Sequence, residues 1–210
     1  MTKLGFLSGI ILSAAAISPA MAAQINGSAT GLVSPTTTIT FDEIVLPVDT
    51  VVTTQYAGLG VSFSPFLYYD PQSYSNGPVS GNFVGNFSFP TEPAFVNPQT
   101  LLFTTDETAV AFGAAGDGTP FTITATLGGV LVDSFSTTIS GTALYYGFTG
   151  ETFNAITITQ TGVGGPYTLF DDIELGTAVT ATPEPSSIAL LGTGILGLAG
   201  VARRRFASRR

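Results

Sequence analysis

Between Thr36 and Leu175 the sequence alternates apolar and polar residues in short runs, and turn-forming residues separate these runs. A period of two is typical of half-buried β-strands, because successive side chains of a strand point to opposite faces of the sheet. The pattern predicts about eleven strands and no convincing helix. Gly128-Gly129 joins two of the runs and fits a two-residue hairpin. We therefore expect an all-β fold, an antiparallel β-sandwich resembling a jelly roll, over residues 36–176.

Charge is distributed very unevenly along the chain. Of the 14 acidic residues, 13 lie between Asp42 and Glu174, so residues 24–182, which contain no Lys or Arg, carry a formal charge of −13. Recognition of a phosphate backbone needs cations, so we expect no nucleic-acid partner, and anionic lipid headgroups should repel this region. The basic residues are confined to the two ends: Lys3, Arg203, Arg204, Arg205, Arg209 and Arg210.

The composition also removes most kinds of catalysis. The chain has no His and no Cys, which excludes a Ser-His-Asp triad, a Cys nucleophile and a His-ligated zinc site. The only Lys is Lys3, so no lysine remains for Schiff-base chemistry in the exported part. Carboxylate-based glycoside hydrolysis is a remote alternative, but no motif pairs the acids. We expect that the protein is not an enzyme.

The N-terminus has the three parts of a secretory signal peptide. Lys3 supplies the positive charge, residues 4–17 form an apolar stretch, and Ala20-Met21-Ala22 is a small-residue cleavage site. Residues 1–22 are therefore predicted to be removed on export. The polar residues 23–35 that follow are predicted to be a flexible leader.

The C-terminus is predicted to enter the membrane. After a small-residue linker over residues 177–182, the uncharged stretch 185–202 would form a helix of about 27 Å, against a hydrocarbon core of roughly 30 Å. Its glycines are tolerated in lipid. Arg203, Arg204 and Arg205 follow at once, and the positive-inside rule keeps them in the cytoplasm. This arrangement leaves the acidic domain outside the inner membrane.

Residues 183–210 resemble the PEP-CTERM sorting signal. The resemblance rests on Pro183, Glu184, Pro185 and Ser186, on the glycine-rich apolar stretch behind them, and on the terminal Arg cluster. It implies recognition by exosortase, a membrane-embedded enzyme of Gram-negative bacteria, and processing near the Pro-Glu-Pro motif. The protein would then reach the cell envelope or the extracellular matrix, where such proteins are associated with exopolysaccharide and biofilm.

Two acidic stretches, one at each end of the domain, are candidates for a calcium site. Alternation places Asp171 on the apolar face of its strand, where an ionised carboxylate must be hydrogen-bonded or metal-bound. The first stretch, residues 39–44, resembles the opening of PEP-CTERM ectodomains. The second, residues 169–175, resembles the closing strands of those domains and of jelly-roll carbohydrate-binding modules, in which a structural Ca²⁺ often ties the first and last strands together. Asp42 or Glu43 with Asp171 or Asp172 would supply the oxygen ligands. The alternative is that these acids are solvated and that Asp171 accepts backbone N–H groups.

The segment over residues 68–98 is rich in aromatic residues. Tyr68, Tyr69 and Tyr74 are candidates for a surface on which a glycan stacks, although ordinary core and loop packing is the more common reason for such rings. Two classes of function therefore remain open: a structural or adhesive protein of the exopolysaccharide matrix, and a carbohydrate-binding module.

Overall fold

The computed structural model describes residues 23–88, 95–162 and 167–177, with the side chains of residues 73 and 74 left out. This part of the chain contains antiparallel strands, one 3₁₀-helix at Ala57–Leu59 and no α-helix, which confirms the predicted all-β class. The strands are β1 Ala23–Ser28, β2 Thr37–Ile39, β3 Val51–Val52, β4 Val61–Ser64, β5 Leu67–Asn76, β6 Val79–Gly85, β7 Gln99–Gly116, β8 Thr119–Leu127, β9 Val130–Ile139, β10 Leu144–Gln160 and β11 Thr168–Gly176.

Strands β7 and β10 are unusually long, and their pairing changes partway along. Residues 144–149 of β10 pair with residues 109–114 of β7. After two register shifts, residues 155–158 of β10 pair with residues 99–102 of β7. Register shifts of this kind bend the paired strands, because the extra residue has no partner across the ladder. The two halves of each strand therefore belong to different layers of the fold.

The other strands divide between these two layers. The hydrogen-bonded order is β3-β5-β6-β11-β7-β10-β8-β9, with β1 on β10, β2 on β11 and β4 on β7. Strands β1, β2, β3, β5, β6 and β11 extend the layer that contains the second half of β7. Strands β4, β8 and β9 extend the other layer. The fold is sandwich-like, and the jelly-roll connectivity stays a prediction.

Aromatic side chains fill the space between the layers. Phe135 of β9 contacts Phe148 of β10 across the core, with ring centroids 5.2 Å apart, and Phe153 lies 6.0 Å from Phe148 on its other side. All three are buried in one apolar cluster that contains residues from both layers. Burial of apolar area supplies the main favourable free energy of a fold like this one, which has no disulfide.

The predicted flexible leader is wrong for its first half. Residues 23–28 form β1, which pairs with residues 145–149 of β10. Farther along, the N–H of Thr36 donates to the carbonyl oxygen of Leu175 over 2.8 Å. The segment is held by main-chain hydrogen bonds rather than by an apolar face, and a pattern of side-chain hydropathy does not reveal such bonds.

Candidate functional site

The acidic residues predicted to form a site lie where β11 changes its neighbour. Leu169 and Phe170 pair with β6, whereas residues 173–175 pair with β2. Between them lie Asp171 and Asp172, and Asp172 has a left-handed backbone conformation with φ 44°. The register between β11 and β7 also shifts here. We call this place the strand junction.

Two carboxylates at the strand junction accept hydrogen bonds from β6. Asp171 Oδ2 accepts the N–H of Ser80 over 2.8 Å. Asp42 Oδ1 accepts the N–H of Asn82 over 3.1 Å and its side-chain N–H over 2.6 Å. Alternate residues of a strand direct their N–H groups to the same side. The two carboxylates therefore accept the N–H groups of β6 that the carbonyl groups of a neighbouring strand would otherwise accept.

The remaining acids of this region also have partners within the fold. Glu43 Oε1 accepts the N–H of Thr40 over 2.9 Å, which closes a local turn. Asp172 Oδ2 accepts the hydroxyl of Tyr145 over 3.0 Å. Glu174 accepts the N–H of Leu32. The sequence-predicted acids thus have structural hydrogen-bonding roles, as the alternative stated for Asp171 supposed.

Burial at the strand junction raises the pKa of several acids. Desolvation raises the pKa of Asp171 to about 8, the N–H donors Ser80 and Asp172 lower it, and the charges of Asp172 and Asp42 raise it. Desolvation likewise raises the pKa of Asp172 and of Glu174. The described residues include no Lys, Arg or His that could offset these charges. Asp171 therefore holds a proton over part of the neutral pH range.

This raised pKa predicts that the fold is less stable at alkaline pH. An acid with a higher pKa in the folded state stabilises the fold fully below its unfolded pKa, here 3.8, and loses that contribution as pH rises towards about 8. Asp171→Asn should flatten the fall in unfolding free energy between these limits. Urea unfolding at a series of pH values measures the slope. The exposed Glu151→Gln is the matched control, and an unchanged slope for Asp171→Asn would contradict the assignment.

The calcium hypothesis stays a prediction. Within the described residues there is no group of three or more His, Cys, Asp or Glu side chains that could hold a metal ion. A structural Ca²⁺ at Asp42, Glu43, Asp171 and Asp172 predicts a higher unfolding temperature in millimolar Ca²⁺ than in EDTA, with Mg²⁺ giving a smaller rise. Equal unfolding temperatures in all three conditions would remove the hypothesis.

The three tyrosines predicted to bind a glycan lie in different environments. Tyr69 is fully buried, and its hydroxyl donates to the carbonyl oxygen of Phe41 over 3.3 Å, so its assignment as a ligand-binding residue is wrong. Tyr68, its neighbour on the opposite face of β5, is half-buried and meets Phe66 edge-on, with centroids 5.4 Å apart. The side chain of Tyr74 lies outside the described residues.

A second group of rings combines two from the aromatic-rich segment 68–98 with one from near the other end of the domain. Phe87 lies between Tyr167 and Phe95, with centroid distances of 5.2 Å and 6.2 Å. Tyr167 is 51% exposed and Phe95 is 36% exposed. We call these three residues the aromatic cluster. The sequence places Phe87 and Phe95 in the aromatic-rich segment, but nothing in it indicates that Tyr167 lies against them.

The sorting residues lie beyond the described part of the chain. Pro183, Glu184, Pro185 and Ser186 fall outside it, as do the Arg cluster 203–205 and the predicted signal peptide 1–22. In residues 23–88, 95–162 and 167–177 no helix is long and apolar enough to cross a membrane. The helix predicted over residues 185–202 is therefore not tested by the structure.

Comparison with known proteins identifies the C-terminal segment. Residues 181–205 match the model of the PEP-CTERM protein-sorting motif, which confirms the resemblance seen in the sequence. The motif implies an exosortase substrate that is exported and held at the membrane before processing. No curated protein matches the chain.

Solved structures also resemble this chain. One is the crystal structure of the K2 cleaved adhesin domain of Lys-gingipain, which is 17% identical and has a TM-score of 0.40. The match covers 67% of this chain and 98% of that one. At this level of similarity, the fold assignment rests on the hydrogen-bonding pattern described above.

Proposed function

We propose that this protein is a non-enzymatic component of the bacterial envelope or extracellular matrix, delivered there through exosortase. The PEP-CTERM motif at residues 181–205 is the observation that carries the proposal. In this account the apolar helix over residues 185–202 anchors the chain in the inner membrane transiently. Processing near Pro183 then releases the acidic domain into exopolysaccharide or biofilm, where it has a structural or adhesive role.

The described domain supports a structural role over catalysis. Its buried acids are hydrogen-bonded to the fold itself, as Asp171 is to Ser80, rather than directed in pairs at a shared space. Without His, Cys or an internal Lys, the remote alternative of a carboxylate glycosidase has no other catalytic group to support it. A strongly anionic surface would keep such a domain hydrated and soluble at the high concentrations of a matrix.

Cell fractionation tests the proposal. In wild-type cells the protein should be found in the extracellular or matrix fraction, whereas cells lacking exosortase should keep it in the inner membrane. Deletion of the gene should weaken the cohesion of the matrix without changing the amount of polysaccharide. If the protein stays in the inner membrane in both strains, or if matrix cohesion is unchanged in the deletion strain, the proposed role is wrong.

A second candidate function is favoured by one specific observation. The aromatic cluster leaves two large rings at the surface of a domain that otherwise buries most of its aromatic side chains. This is a feature of a binding surface rather than of an inert spacer. The candidate is a carbohydrate-binding module, with a jelly-roll topology and a structural calcium ion as its further expected features.

A further inference from the structure

We propose that the aromatic cluster of Phe87, Phe95 and Tyr167 is a binding site for a neutral glycan. The cluster lies at one end of the sandwich. Phe87 follows β6, Phe95 precedes β7 and Tyr167 precedes β11. The inference rests on the proposed delivery to a polysaccharide matrix, because that is where the ligand would be met.

The rings form one continuous apolar surface. Phe87 is half-buried at its centre, and the planes of Tyr167 and Phe95 are tilted from it by 47° and 39°. Pyranose sugars have an apolar face of C–H groups, and the electron-rich faces of aromatic rings attract such groups. Covering the two exposed rings would also remove apolar area from water.

Main-chain hydrogen bonds hold the three segments together. The N–H of Asn86 donates to Thr168 O over 3.1 Å, and the N–H of Thr168 donates to Asn86 Oδ1 over 2.8 Å. The N–H of Val96 donates to Asn86 O over 2.7 Å. Asn86, Thr168 and Val96 are the immediate neighbours of Phe87, Tyr167 and Phe95 in sequence. The rings are therefore attached to a bonded framework, and little ordering entropy is lost when a ligand binds.

Charge and strand pairing select the class of ligand. The chain has no cation between Lys3 and Arg203, so an acidic polysaccharide would meet no counter-charge and would be repelled. An added peptide strand is also disfavoured, because among the described residues beside the cluster Leu169 already pairs with Gly85. A neutral hexose polymer carries no negative charge to be repelled and binds without pairing to a strand edge.

Affinity electrophoresis of the exported protein tests the site. Native gels containing dextran or laminarin should retard the wild-type protein, whereas gels containing polygalacturonate should not. Tyr167→Ala should bind the retarding polymer about tenfold more weakly, since loss of one stacked ring removes roughly 1.4 kcal/mol. Tyr167→Phe should keep the retardation, because it keeps the ring. Unfolding temperatures of all variants confirm that the fold is intact.

Leu131→Ala is the matched control, because Leu131 is an exposed apolar side chain on β9, outside the cluster and outside the predicted tyrosine surface. It should bind like the wild type. The inference is overturned if neither neutral polymer retards the wild-type protein, or if Leu131→Ala weakens binding as much as Tyr167→Ala does. Fractionation of the same variants separates the two proposals: correct delivery without glycan binding refutes only the site, whereas failed delivery of the wild-type protein refutes the proposed function.

Discussion

Replacing Phe148 with Ala should lower the free energy of unfolding by about 3–5 kcal/mol, the usual cost of removing a buried aromatic ring. Phe148 is 1% exposed and contacts Phe135, which belongs to the opposite layer. The substitution would leave a cavity between the layers that neither long, bent strand can close by moving alone. Because domains of this size are stable by only about 5–15 kcal/mol, much of the cooperative transition should be lost. Urea unfolding measures the change.

Two control variants distinguish the loss of packing at Phe148 from a general sensitivity of the fold to substitution. Phe148→Leu keeps most of the side-chain volume and should cost less than about half as much. Leu131→Ala removes an apolar side chain that is 63% exposed, and we expect a change within about 0.5 kcal/mol. A Phe148→Ala protein as stable as the Leu131→Ala protein would show that the layers do not pack through this ring.

Replacing Pro183, Glu184 and Pro185 together with Ala should abolish processing. Proline fixes φ and disfavours a helical conformation at the residue before it, so the motif keeps the chain non-helical just outside the predicted membrane helix. Three alanines would allow the helix to extend through the site that the enzyme must reach. The variant should remain entirely in the inner-membrane fraction with its Arg cluster attached. Immunoblotting with a tag at residue 23 measures this distribution.

The matched control changes the linker and spares the motif. Thr177→Ala with Thr180→Ala alters the composition next to the matched residues 181–205 without entering them. This double variant should be processed like the wild type. If the motif variant is also released at the wild-type level, the Pro-Glu-Pro residues are not the recognised feature.

Local alternation predicted most of the strands, but it missed β1 and β5 and gave no indication of the curvature of the long strands. The Gly128-Gly129 hairpin is confirmed: it joins β8 to β9, with φ of 57° and 83° at the two glycines. The structure joins two apolar runs of the sequence, at residues 100–104 and 108–112, into the single strand β7. The polar residues between them interrupt the alternation and resemble a loop. They lie at a bend that carries one strand from the first layer to the second.

The acidic site was predictable in part. Alternation placed Asp171 on the apolar face, and the structure buries it. Its partner Ser80 lies 91 positions earlier in the chain and could not be predicted, because the register between β6 and β11 depends on tertiary packing. The exposure of the aromatic rings could not be predicted for the same reason. Tyr69 is buried and Tyr167 is half exposed, and this difference depends on the topology rather than on the neighbours of each ring in the sequence.

The intact mass of the mature protein tests the central claim most directly. The protein is purified from wild-type cells and from cells lacking exosortase, and both masses are compared with those calculated for chains beginning at Ala23. The account predicts a wild-type chain that ends near Pro183–Ser186, and a chain that still ends at Arg210 when exosortase is absent. A wild-type protein that retains Arg210 would contradict the account and leave the C-terminal segment as a permanent membrane anchor.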